Sequence, residues 1–210
     1  MKPVLIAFAS REGQTRRIAE HVATAVRARG DRVDVVDVAS TTEGLDVGSY
    51  AAVVLAASVH LGKHEREMIA FVQTHRGALE RVPTAFLSVS LSEAGVEDAT
   101  APFEKRSRAA IDVKKMVDDF CAAAGFHPDR IWPVAGALMY SEYGVVTRLV
   151  MRMIAKRQGA STDTSHDQEY TDWRALDRFV GAVMAEVEAS GSHGVAASDP
   201  VAVAPPSHAR

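Results

Sequence analysis

With 210 residues, 47% of them hydrophobic and 24% charged, the chain is long enough to bury one full core with room for an extension. Its 24 basic and 27 acidic residues leave a formal net charge of −3, which gives no whole-molecule attraction to nucleic acid. A single cysteine, Cys121, excludes an internal disulfide and a cysteine-rich metal site, and a reducing cytoplasm is its simplest home.

Residues 4–9 form a continuous apolar run, the pattern of a strand buried on both faces. The run is too short for a signal-peptide core, and no stretch approaches the ~18 apolar residues of a transmembrane helix. A cytoplasmic protein is expected, at most peripheral on the inner face of the cell membrane. Ile18, Val22, Ala25 and Val26 then share one helical face, and Gly30 ends that helix. Residues 32–38 alternate and are rich in valine, a second strand, and 50–57 are a third. Met68, Phe71, Val72, His75 and Leu79 keep helical spacing, and 83–89 read as a fourth strand.

A long helix is predicted over 103–124, with Val113, Met116, Val117, Phe120, Cys121 and Ala124 on one stripe and Gly125 as its stop. Cys121 there packs as a small hydrophobe. Residues 131–138 read as a fifth strand and 145–157 as a short helix. A last helix covers 173–188, with Leu176, Phe179, Val180, Val183, Met184 and Val187 facing inward. Strands alternating with helices predict a doubly wound α/β domain over residues 1–188, a five-stranded parallel sheet with helices on both faces. Residues 189–210, rich in Ala, Ser, Gly, Pro and Val without period, are expected to form a disordered low-complexity tail.

In such a sheet, ligands bind outside the carboxyl ends of the strands. Ser10, Arg11, Glu12, Gly13, Gln14 and Thr15 lie there, between the first strand and the first helix. Orphan N–H groups and the dipole at a helix start favour an anion, Ser10 and Thr15 add hydroxyls, and Gly13 permits a tight turn. Arg11 would attract a phosphate and Glu12 would oppose it. Neither the dinucleotide fingerprint nor the triphosphate-binding loop is present. Ordinary helix capping would use the same residue types.

The spacing [ST]-x-x-G-x-[ST] directly after strand one resembles the flavodoxin phosphate loop. That resemblance implies a flavodoxin-like fold, strand order 2-1-3-4-5, and FMN at the switch point between strands one and three. It further implies two loops at the flavin: Ser58, Val59, His60, Leu61 and Gly62 after the third strand, and Ser88, Val89 and Ser90 after the fourth. Neither loop carries Trp, Tyr or Phe, so the ring is expected to be open to a stacking substrate. His60 is the candidate flavin-edge residue, able to bond the flavin or steady charge on the reduced ring; an exposed loop histidine would look the same. His60 and His64 have the spacing of a metal pair on a helix, but Gly62 intervenes and no third ligand is evident, so no metal is expected.

Six segments together resemble the menaquinone-dependent protoporphyrinogen dehydrogenases, a flavodoxin-like family. They are Ser-Arg-Glu-Gly-Gln-Thr at 10–15, Ala-Ser-Val-His-Leu-Gly-Lys-His at 57–64, Pro-Thr-Ala-Phe-Leu-Ser-Val-Ser at 83–90, Ala-Gly-Ala-Leu-Met-Tyr at 135–140, Thr-Asp-Thr at 162–164 and Tyr-Thr-Asp-Trp at 170–173. The similarity covers about residues 2–188. His60 and Leu61 stand where the best-known members carry Arg and Tyr, and the segment 93–129 is longer and begins more acidic than theirs. The resemblance implies an FMN oxidoreductase of heme biosynthesis that oxidises protoporphyrinogen IX and passes electrons to a quinone. A flavodoxin-type electron carrier and an NAD(P)H:quinone reductase are the alternatives. Shuttle flavodoxins tend to be strongly acidic, unlike this chain.

Arg148, Arg152 and Lys156, four apart on the helix 145–157, share one face beside Val145, Leu149, Val150, Met153 and Ile154. Such a face serves an anionic membrane surface, the carboxylates of a substrate, or solvent alone.

Overall fold

The computed structural model describes residues 2–40, 42–138 and 168–193. The chain order is β1 (Val4–Ala9), α1 (Gln14–Ala28), β2 (Val33–Asp37), a 3-10 turn at Val47–Ser49, β3 (Ala52–His60), β4 (Lys63–His64), α2 (Arg66–Leu79), β5 (Thr84–Ser90), α3 (Leu91–Glu97), α4 (Phe103–Ala124), β6 (Arg130–Ala135), β7 (Ala137–Leu138), β8 (Gln168–Glu169) and α5 (Trp173–His193). Strands β2-β1-β3-β5-β6 form a parallel sheet in that order. Counted along the chain without the short β4, this is the order 2-1-3-4-5.

The alternation along each central strand builds two separate core layers. Val4, Ile6 and Phe8 point to one face, where Ile18, Val22 and Val26 of α1 meet Leu176, Phe179, Val180, Val183 and Met184 of α5. Leu5, Ala7 and Ala9 point to the other, against Met68, Phe71, Val72 and Leu79 of α2 and Phe120 and Ala124 of α4. Phe86 of β5 stacks on Phe120 at 4.2 Å between centroids and is fully buried. Truncating such a ring to Ala costs about 3–5 kcal/mol. Cys121 is half-buried against this second layer, where burial raises its thiol pKa.

Several boundaries differ from the sequence expectation. The third strand starts at Ala52 rather than residue 50, and it continues through the segment read as a loop. Val59 and His60 pair antiparallel with His64 and Lys63. The two-residue turn between them, Leu61-Gly62, has φ of 50° and 76°. Both residues are left-handed, as tight hairpin turns require. The segment 88–93 is likewise not a loop: β5 runs to Ser90 and α3 begins at once. The strand expected over 131–138 is split, β6 ending at Ala135 and β7 pairing with β8 in a second, two-stranded sheet. Helix α4 matches its predicted span. Helix α5 runs to His193, past the predicted end at residue 188. The predicted helix 145–157, with Arg148, Arg152 and Lys156, and residues 194–210 lie outside the described residues. Among the described residues no helix is long and apolar enough to cross a membrane.

Candidate flavin site

The site grows from the loop between β1 and α1. Gly13 is the N-cap of α1 at φ 84°, ψ −23°, and it supplies no side-chain cap. Its N–H donates to Ser10 Oγ at 3.1 Å, closing the loop, and its carbonyl accepts from Arg17 N at 3.0 Å, starting the helix. The first-turn N–H groups of Gln14, Thr15 and Arg16 therefore point out of the helix end with no cap over them. A Cβ built on Gly13 would meet nothing within 4 Å, so the loop is open at this glycine. Uncapped donors, positive dipole end and open space together fit an anion of phosphate type.

The side chains of this loop hold the site together. Gln14 Nε2 donates to Glu169 Oε1 at 2.8 Å and to Thr171 Oγ1 at 2.9 Å, and Thr171 donates to the carbonyl of Ala135 at 2.7 Å. This clamps the loop to the end of β6, so Gln14 offers a ligand its backbone. Thr15 is 1% exposed. Arg11 does not turn toward the cleft: its Nε donates to Glu65 Oε2 at 2.6 Å, and the same carboxylate accepts from Ser58 Oγ at 3.2 Å. The guanidinium pKa is raised by that bond and by the charge behind it. Glu12 meets His60 across the gap, Oε1 to Nδ1 at 3.4 Å.

These elements surround a cleft of about 450 Å3, within the ordinary range for small-molecule sites. Ser10, Glu12, Gln14 and Thr15 line one end. Ser58, Val59, His60, Leu61 and Gly62 of the hairpin form one wall, and Val89, Ser90, Leu91 and Ser92 another. Asp112, Lys115, Met116 and Asp119 of α4 close it, with Lys115 paired to Asp119 at 2.5 Å. Thus the structure brings together the phosphate loop and both flavin-edge segments expected from sequence. Arg11, Gly13 and Ser88 are the expected residues that do not line the cleft, and Ser88 lies deepest. It is fully buried beneath the cleft and bonds His64 Nε2 at 2.9 Å.

Sequence reasoning gave no role in a flavin site to three residues around this cleft, and weighed His64 only as half of a metal pair that it set aside. Glu65 is buried and binds across 54 residues to Arg11; no local pattern announces such a contact. His64 is buried between Phe86 and Phe120, at 5.2 and 5.1 Å between centroids, and burial lowers its pKa to about 4. Glu93, next to the cleft-lining Ser92, has its pKa raised to about 7 by burial, then by the neighbouring Glu97. Its place in α3 was legible, since Ser90-Leu91-Ser92-Glu93 is a capping box and Ser90 Oγ does accept from Glu93 N at 3.2 Å.

A flavodoxin domain model matches residues 5–165. The protoporphyrinogen IX dehydrogenase [quinone] of Escherichia coli (strain K12) is 33% identical over 175 residues, 83% of this chain and 91% of that protein. The protein of the same name in Leishmania major is 29% identical over 179 residues, 83% of this chain and 71% of its own length. Among solved structures, rubredoxin oxygen:oxidoreductase from Desulfovibrio gigas superposes with a TM-score of 0.52 at 12% identity, over 91% of this chain and 37% of that one, a likeness of fold. The chain belongs to the flavodoxin domain family, a flavin-binding fold, and within it to the family of the protoporphyrinogen IX dehydrogenases [quinone].

Proposed function

We propose that the chain oxidises protoporphyrinogen IX to protoporphyrin IX as a step of heme biosynthesis, with FMN in the cleft and a quinone as acceptor. The observation that carries this is the uncapped N-terminus of α1, opening on Gly13 at the carboxyl edge of β1. It supplies donors for a flavin's phosphate, and the family relationship supplies the reaction. FMN contributes the redox chemistry when bound. The chain's own residues bind and orient.

Ser10 and the N–H groups of residues 14–16 hold the phosphate. Val59, His60 and Leu61 flank the ring on the hairpin side, and Val89 and Ser90 on the sheet side. No aromatic side chain belongs to either segment, which leaves a ring face for a flat substrate to stack on. Anaerobic incubation with protoporphyrinogen IX and menadione tests the reading. Protoporphyrin fluorescence should rise in proportion to enzyme, and no rise over a protein-free control would overturn it.

A further inference from the structure

We infer that Glu65 is a positioning residue for the phosphate end of the flavin site, acting through Arg11 and Ser58; the inference rests on the FMN reading above. Glu65 occupies the N-cap of α2, where a shorter Asp, Asn, Ser or Thr side chain would ordinarily cap the helix. It makes no such bond. Its carboxylate is turned away, 3% exposed, and takes Arg11 Nε on one oxygen and Ser58 Oγ on the other. Its backbone N–H also donates to the carbonyl of Ser58 at 3.2 Å. One buried carboxylate thus joins the phosphate loop, the end of β3 and the start of α2.

Burying a carboxylate is costly unless it is paired and hydrogen-bonded, and here both oxygens have partners. The position of the tether decides its role. Arg11 and Glu65 are not among the residues lining the cleft, whereas Glu12 and His60, which span the same gap, are. A ligand entering the cleft meets the Glu12–His60 contact and leaves Arg11–Glu65 in place. The pair, anchored on the buried Glu65, therefore fixes the loop backbone before the phosphate arrives, so that the donors of residues 14–16 converge without an ordering cost at binding.

Affinities for FMN and for riboflavin, which lacks the phosphate, separate this role from general stability. Glu65→Gln, nearly isosteric, should weaken FMN about tenfold and leave riboflavin binding unchanged. Arg11→Gln, at a half-exposed site but leaving the buried Glu65 without its cation, should do the same. The double variant should be no weaker than either single one, because both remove one tether. Equal losses for both flavins would make Glu65 merely structural. Unchanged or tighter FMN binding in Glu65→Gln, as a freed Arg11 reaching the phosphate would produce, would also overturn the inference. Wild-type protein that binds riboflavin as tightly as FMN would instead defeat the underlying assignment of the phosphate to this loop.

Discussion

Replacing Gly13 with Ala isolates the contribution of the phosphate loop. The backbone there sits at φ 84°, and a residue with a Cβ in that region costs roughly 1–2 kcal/mol. Nothing lies within 4 Å of the added Cβ, so steric repacking adds nothing in the ligand-free protein. At about 2–4 °C per kcal/mol for a chain of this size, the melting temperature of the ligand-free variant should fall by about 2–8 °C. The effect on FMN should be larger. A methyl group at this cap, one residue before the first-turn donors, would crowd a phosphate bound on them, and each charge-assisted hydrogen bond displaced is worth about 1.5–3 kcal/mol. Loss of one bond corresponds to a roughly 10- to 100-fold weaker Kd. Fluorescence titration with FMN and riboflavin reads this directly, since only FMN should weaken. A variant that keeps wild-type FMN affinity would refute the placement of the phosphate. A variant with no loss of thermal stability would refute the left-handed backbone.

The turn residue Leu61 is left-handed and 81% exposed. Leu61→Asn should raise stability by roughly 1 kcal/mol in chemical denaturation while weakening flavin binding through the lost apolar contact; unchanged stability would refute the strain. His64 titrates near pH 4, below its ordinary value, so its contribution is present above pH 6.5 and is lost as pH falls toward 4. His64→Gln should flatten the pH dependence of stability in that window, by roughly 3 kcal/mol at most. Glu93 has the opposite sign. Its pKa is raised to about 7, so the associated stability is full below the ordinary carboxylate range and lost as pH rises through 7. Glu93→Gln should therefore stabilise the protein at pH 8 by roughly 1 kcal/mol, a figure discounted for partial exposure. We propose that the cations Arg148, Arg152 and Lys156, which the sequence spacing alone puts on one helical face, attract anionic lipid at about 1 kcal/mol per charge. Replacing all three with Gln should weaken binding to anionic vesicles, more so at low salt, with turnover of a water-soluble quinone kept; a fall in that turnover would assign the face to substrate carboxylates.

The framework was legible because it depends on local patterns. Strand β1 shows its two-sided burial in Val4–Ala9, and α4 shows both its stripe and its glycine stop, so their spans agree with expectation. The phosphate loop was legible for the same reason, since strand, small residues and helix are contiguous. What was missed is either atypical or long-range. The hairpin turn is Leu-Gly rather than the Asn-Gly that announces such turns, so His60 read as a loop residue and lies instead at the end of β3. Gln14 counts as a loop residue in sequence, yet its amide reaches Glu169 and Thr171, which are 155 and 157 residues away. Glu65 looks like an ordinary helix-start carboxylate until Arg11 is placed beside it.

The most direct test of the account separates the two half-reactions under anaerobic stopped flow. Mixing the FMN-loaded protein with protoporphyrinogen IX should bleach the bound flavin and release porphyrin fluorescence at matching rates. Mixing the bleached protein with menadione should restore the flavin absorbance fast enough to sustain steady-state turnover. Bleaching by NADPH but not by protoporphyrinogen IX would contradict the proposed substrate and make the protein a nicotinamide-driven quinone reductase.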